Sequence, residues 1–393
     1  MAYRAAVVGV GMTPATSPRK QEFSTAELCR QAVHAALAHC GADPRTLDAV
    51  VIGNIDGFEG TVLGGKSLTR QLGIGPDLPV VVLNTGGTTG GNLMQVAARM
   101  VRAGTHRRVL CVGGPTFFGA EDLQAAINTN SPMIIEQPLG MGAYHMGAFA
   151  ASAYQARFGV DATDLAAVAV ADHAKALKNP NAHLRYEVTV DDVLAARPLS
   201  SPLTQAMVCP VSTSAVAMIV GDPDEHDLAT APALIRAMGT SSDPYLGGGK
   251  GDFSQMQNLA TLARRVYALA DVRAPRREFD VVEVFAPYVH MQPMQLEALQ
   301  LAEPGEGVAL IRSGDRVLAV NPSGGPKCTN AGVAGELAPY AYAALQVMGD
   351  APPELQVEGV RKALAHGTGG TFFQFENLAV FEALDSVSSG STS

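Results

Sequence analysis

The chain has 393 residues, 47% of them hydrophobic and 17% charged, which is long enough for two domains or one duplicated domain and apolar enough to bury a large core. Its net charge of −9 comes without a Lys/Arg cluster and without any tryptophan, which argues against nucleic acid as the main partner but leaves room for local binding of an anionic group. No apolar run approaches the roughly 20 residues that cross a bilayer, no charged leader precedes the first strand-like segment, and the five cysteines lack the close spacing of a zinc site or disulfide framework. A cytoplasmic protein with its natural start, no metal, no membrane span and no tightly bound cofactor is expected.

In chain order, short apolar runs ending in glycine or asparagine alternate with alanine-rich segments, the pattern of an α/β protein with buried strands. Strands are expected at residues 5–10, 49–54, 80–84, 108–114 and 211–220. After Pro232 the order returns, with strands at 233–239, 281–285, 317–321 and 377–381. In each half a strand ending in asparagine, Asn84 or Asn321, runs into a glycine turn, Gly86-Gly87 or Gly324-Gly325, and then an alanine-rich helix. That correspondence predicts an internal duplication, with halves at 1–228 and 229–385 and a polar, disordered tail at 386–393. Residues 128–202 read as an insertion into the first half, with helices over 147–158 and 163–177, forming a substrate loop or a layer over a dimer.

Several segments carry a family likeness in the right order. They are Asn179 to Arg185, Val188 to Leu194 with Ser201-Pro202-Leu203, Asn321-Pro322-Ser323-Gly324-Gly325 with Gly332-Val333-Ala334-Gly335, and Ala365-His366-Gly367-Thr368-Gly369-Gly370. Together they resemble the sterol-carrier-protein-x branch of the thiolase superfamily, the lipid-transfer-protein thiolases. The resemblance implies a duplicated, five-layered αβαβα fold with an inserted loop domain, a homodimer, and acyl-CoA thioesters bound where the C-terminal ends of the strands converge.

In active thiolases a cysteine on the first glycine turn is acylated, activated by a histidine and assisted by backbone N–H groups. Here that position is Gly87, and the family's two histidine-bearing segments are matched by Phe285-Ala286-Pro287-Tyr288 and Thr329-Asn330-Ala331. Ordinary thiolysis or Claisen condensation is therefore not expected. The Thr88 hydroxyl is a weak substitute without an aligned base, and Cys328 beside Lys327 is the nearest thiol for an atypical acyltransferase.

Cysteine-less members of this branch resemble retro-aldolases that cleave a β-hydroxyacyl-CoA during steroid side-chain degradation, with a small zinc-ribbon/OB-fold partner. Such a step needs a base and donors for the departing enolate but no covalent intermediate. The candidate acid/base groups are His366 in the last glycine loop, Tyr288 and His290 after a predicted strand end, and Tyr340 on the helix after the second turn, ahead of Tyr342. Gly87, Thr88, Asn321, Ser323 and Asn330 are candidate oxyanion or substrate-binding positions. Tyr144 and His145, among glycines, form either a lid or a packed aromatic pair, and Gly247 to Gly251 lacks the spacing of a phosphate loop and reads as a surface loop near a CoA pantetheine. The leading reading is a carbon–carbon bond enzyme on acyl-CoA thioesters, homodimeric and joined to the zinc-ribbon/OB-fold partner. A non-catalytic acyl- or lipid-binding or scaffold subunit and an atypical acyltransferase are the alternatives.

Overall fold

A computed structural model describes residues 4–54, 68–75, 77–115, 123–224, 228–244, 249–314, 317–370 and 372–384. Its apolar, β-branched runs form twelve strands: β1 (Ala6–Met12), β2 (Ala49–Gly53), β3 (Val80–Leu83), β4 (Arg108–Gly113), a separate hairpin of β5 (Pro198–Ser200) and β6 (Leu203–Thr204), then β7 (Val216–Gly221), β8 (Ala233–Ser242), β9 (Val281–Val284), β10 (Ala319–Val320), β11 (Lys362–Gly369) and β12 (Phe375–Ala383). Ten of them make one sheet in the order β10-β9-β11-β12-β8-β1-β7-β4-β2-β3. Counted within each half, both fives run third-second-fourth-fifth-first, with parallel pairing among the first three places and antiparallel pairing for the other two. The halves join edge to edge through only Ala6 with Leu234 and Val7 with Ala233.

The helices of eight residues or more are α1 (Thr25–Cys40), α2 (Thr89–Arg102), α3 (Ala143–Phe158), α4 (Ala162–Ala176), α5 (Gln257–Ala270), α6 (Met291–Ala298) and α7 (Val333–Met348). Because side chains alternate along a strand, each half-sheet presents one face to each of two helical layers. Val8, Ile52 and Leu110 pack against α1 on the outside of the first half. Val51, Val109 and Met218 from the first half, and Ala363, Ala379 and Phe381 from the second, share one core with α2 and α7. Val282, Leu364 and Val380 pack on the other side with α5, α6 and the inserted α3 and α4. The order is thus helix, sheet, helix, sheet, helix, with α2 and α7 sandwiched at the centre.

Some elements differ from the sequence reading. Residues 362–369 form β11, so His366 lies inside a strand and not in a glycine turn after a helix; β9 pairs with it in parallel and β12 antiparallel, which overrides its alanine-rich composition. The strand expected from 211 begins at Val216, because Ser212 and Thr213 spend their N–H groups on the carbonyls of Asn330 and Thr16. Helix α3 starts at Ala143, taking in Tyr144 and His145. Gly247 and Gly248 and the tail 386–393 lie outside the described residues. Among the described residues no helix is long and apolar enough to cross a membrane.

Candidate active site

The turn between β3 and α2 is built from its own polar groups. Asn84 Oδ1 accepts the Gly86 N–H at 3.2 Å, Thr88 Oγ1 donates to the Thr85 carbonyl at 2.9 Å, and Thr89 Oγ1 donates to the Gly86 carbonyl at 2.6 Å. Gly86 has a φ of 59°, a left-handed conformation that favours glycine. The threonine hydroxyls are therefore committed to the turn. At Gly87 a Cβ would stand 2.8 Å from Gly369 Cα and 3.3 Å from the Thr368 carbonyl oxygen, so the end of β11 closes against the turn and leaves no room for a side chain.

Beside this contact lies a cavity lined by Gly87, Thr368, Gly369, Tyr288, Cys209, Asn330 and Glu336, with Ile127, Met146, Phe285 and Phe373 as its apolar wall. Tyr288 enters it from the loop after β9, and its ring reaches there because α3 carries glycine at 147, where a Cβ would sit 3.0 Å from the ring. Its hydroxyl has no hydrogen-bond partner among the described residues, and burial pushes the phenol well above its ordinary value, so it stays protonated. Asn330 Nδ2 donates to Cys209 Sγ at 3.1 Å, while its Oδ1 has no partner among the described residues. Burial also pushes the Cys209 thiol up, against the opposing pull of Asn330 and Lys327. Glu336, on the first turn of α7, accepts the Gly90 N–H at 3.2 Å, and burial pushes its carboxyl up to about 8. A second, more polar cavity shares Gly87, Asn130 and Gly370 with the first and adds Thr88, Ser241, Glu376 and Asn377.

Residues 5–193 match the family model "Thiolase, N-terminal domain" and residues 249–382 match "Thiolase C-terminal domain-like". The chain belongs to the thiolase superfamily. It is 26% identical to acetyl-CoA acetyltransferase of Methanothermobacter thermautotrophicus over 93% of this chain and 96% of that protein. It is also 26% identical to sterol carrier protein 2 of Bos taurus over 93% of this chain and 70% of that protein. Among solved structures it is similar to the Ltp2-ChsH2(DUF35) aldolase, with a TM-score of 0.81 and 22% identity over 97% of this chain and 98% of that one. A monomeric SCP2-thiolase-like protein type 1 from Mycobacterium smegmatis superposes with a TM-score of 0.74 and 18% identity over 97% of this chain and 78% of that one.

In this thiolase-like chain the residues singled out from the sequence fall into three places. Gly87, Tyr288 and Asn330 line the first cavity, with Thr88 in the adjoining polar one. His366, His290 and Tyr340 are fully buried behind the wall. His366 Nε2 and Glu376 Oε2 are 2.8 Å apart, and His366 Nδ1 has no partner among the described residues. His290 lies with its ring 5.7 Å from the Tyr288 ring, tilted by 30°, both its nitrogens have no partner among the described residues, and burial lowers it to about 3, so it is neutral. The Tyr340 hydroxyl fills the space above Gly91 and Gly367, where a Cβ would approach to 2.5 and 3.2 Å.

The second glycine turn faces a separate polar cluster. Asn321, at a φ of 42°, accepts the Val284 N–H at 2.7 Å through Oδ1, and Ser323 Oγ donates to Glu283 at 2.6 Å, a carboxyl that burial raises to about 7. Cys328 packs against Ala176 and Ala182 and is pushed up to about 12 by burial. Cys209 is therefore the cysteine that reaches the first cavity among the described residues. Sequence reasoning missed Glu336 and Cys209. For Glu336 a signal existed: it is the one charged residue in the sixteen of α7, and a charge on a helix that is apolar all round is forced inside with a perturbed pKa. A lone cysteine gave no such signal.

Proposed function

We propose that the chain is a carbon–carbon lyase that splits a β-hydroxyacyl-CoA into a carbonyl compound and a shorter acyl-CoA by a retro-aldol step. The observation that carries this reading is the cavity at Gly87, the position that the resemblance matches to the thiolase cysteine, which leaves no room for a side chain there and presents a protonated phenol from Tyr288. A retro-aldol reaction suits that inventory because it forms no acyl-enzyme. A base takes the β-hydroxyl proton, the Cα–Cβ bond breaks, and the enolate oxygen is stabilised by hydrogen-bond donors. Tyr288 keeps its proton at neutral pH and serves as such a donor to the thioester oxygen, with Asn330 beside it.

His366 and His290 act from behind the wall as positioning groups, the first through Glu376 and Thr368, the second against the Tyr288 ring. The apolar wall of Ile127, Met146, Phe285 and Phe373 suits a bulky hydrocarbon acyl part such as a steroid side chain. The likeness to the Ltp2-ChsH2(DUF35) aldolase supports the reaction class and an assembly with a partner of the DUF35 kind, and a homodimer joined to a zinc-ribbon/OB-fold protein is the assembly proposed here.

The test is turnover of a panel of β-hydroxyacyl-CoAs by the protein with and without that partner. Carbonyl product and shorter acyl-CoA are expected in equal amounts. Binding without product from any mixture would favour the non-catalytic acyl-binding subunit instead.

A further inference from the structure

Glu336 is buried to within 5% of full exclusion, yet its carboxyl opens on the cavity. Three relationships fix its surroundings. The N-terminus of α2 points at it: the Gly90 N–H donates at 3.2 Å, and the Thr89 backbone contributes as well. Residue 90 must be glycine for that approach, since a Cβ there would stand 2.3 Å from the Leu337 nitrogen and 2.8 Å from Glu336 Cβ. The other oxygen, Oε1, lies 3.7 Å from the point where a Cβ on Gly87 would begin. No ion pair to Glu336 is formed by the described residues. A carboxyl thus flanks the place from which the family's nucleophile would project.

We propose that Glu336 is the acid–base residue of this cavity, removing the β-hydroxyl proton of the substrate and returning it to Cα of the enolate. The proposal rests on the retro-aldol reading. The carboxylate takes the hydroxyl proton, the oxygen's electrons form the new carbonyl, and the Cα–Cβ pair moves onto Cα and the thioester oxygen. The carboxylic acid then protonates Cα, so one proton enters and leaves the side chain and the step balances without a further reactant.

Burial raises the group to about 8 while two backbone N–H groups pull the other way, which suits a residue that must give and take a proton near neutrality. The other titratable groups around it are worse placed. Tyr144, Cys209 and Tyr288 on the wall, and Tyr340 on the same helix, are all pushed upward by burial and stay protonated. Glu376 opens on the neighbouring polar cavity and is hydrogen-bonded to His366.

The experiment is deuterium wash-in at Cα of acetyl-CoA and short acyl-CoAs in D2O, followed by mass spectrometry, using the full chain with its partner. Wild type is expected to exchange, with a rate that rises with pH through about 8. Glu336→Gln, whose carbonyl still accepts the Gly90 N–H, is expected to exchange at least ~100-fold more slowly. Its melting temperature at pH 5, where the folded carboxyl is protonated and as uncharged as the amide, should stay near that of wild type, and Glu336→Asp should recover part of the rate. Wild-type exchange that persists in Glu336→Gln would overturn the role of Glu336 and leave the retro-aldol reading standing. Absence of exchange in wild type would remove that reading and this proposal together. If the glutamine variant does not fold, the wild-type profile decides, because a rate flat from pH 6 to pH 9.5 contradicts the proposal.

Discussion

Gly87 and Gly369 meet backbone to backbone: a Cβ on Gly87 would stand 2.8 Å from Gly369 Cα, and a Cβ on Gly369 would stand 2.6 Å from Gly87 Cα. This contact joins the first-half turn to the last parallel strand of the second half, so the two halves close on each other at the position that the resemblance matches to the thiolase cysteine. Replacing Gly87 with cysteine should not create a thiolase. Gly87→Cys is expected to lose about 1–3 kcal/mol of stability through overpacking and to gain no acyl adduct. Thermal unfolding and intact mass after exposure to acyl-CoA check both, and an adduct with unchanged stability would contradict the packing argument.

Tyr288 offers a cleaner separation of chemistry from folding, because its hydroxyl has no partner among the described residues to lose. Tyr288→Phe is expected to lower turnover by about 10²–10³-fold, the cost of a transition-state hydrogen-bond donor, while leaving the melting temperature nearly unchanged. Steady-state kinetics and calorimetry on the same preparation would show it. Full activity in the variant would remove the phenol from the mechanism.

The raised carboxyl of Glu336 makes a signed prediction about stability. Its folded value of about 8 lies above the ordinary unfolded value of about 4.3, so the folded chain binds the extra proton in between. The contribution is fully present below the unfolded value and is lost as pH rises through the folded one. The effect is on the order of 3–5 kcal/mol, and Glu336→Gln should lack it. Denaturant midpoints of wild type and variant from pH 5 to pH 9 should therefore diverge as pH rises, with wild type falling relative to the variant. A constant difference would mean that the carboxyl is not buried as described.

Alkylation distinguishes the cysteines. Cys209 is expected to react slowly with iodoacetamide, since burial holds its thiol protonated, and to be protected by acyl-CoA; Cys111 and Cys328 should react only on unfolding. Peptide mapping after timed labelling is the check. Rapid labelling at Cys328 would revive that residue as a nucleophile.

The sequence made the fold legible where local preference and tertiary environment agree. Runs such as Val80–Leu83 are β-branched and are strands, and the matching asparagine-glycine turns mark the two halves whose strand orders coincide. Strand β11 was not legible, because Lys362-Ala363-Leu364-Ala365 favours a helix and becomes a strand only between β9 and β12, neighbours distant in sequence. At the site, Tyr288 was singled out because it follows a strand end, where open α/β sheets bind ligands, and Gly87 through the family resemblance; both line the first cavity. Asn321 and Ser323 were read by analogy with the first turn, yet duplication gives the second turn its own polar cluster around Glu283. Their side chains are consumed in holding β9.

The most direct test of the central claim is to mix the protein and its partner with a β-hydroxyacyl-CoA, follow the products, and take the intact mass of the protein during turnover. The account predicts cleaved carbonyl compound and shorter acyl-CoA with the protein mass unchanged throughout. An acyl adduct that forms and decays at the rate of product release would contradict it.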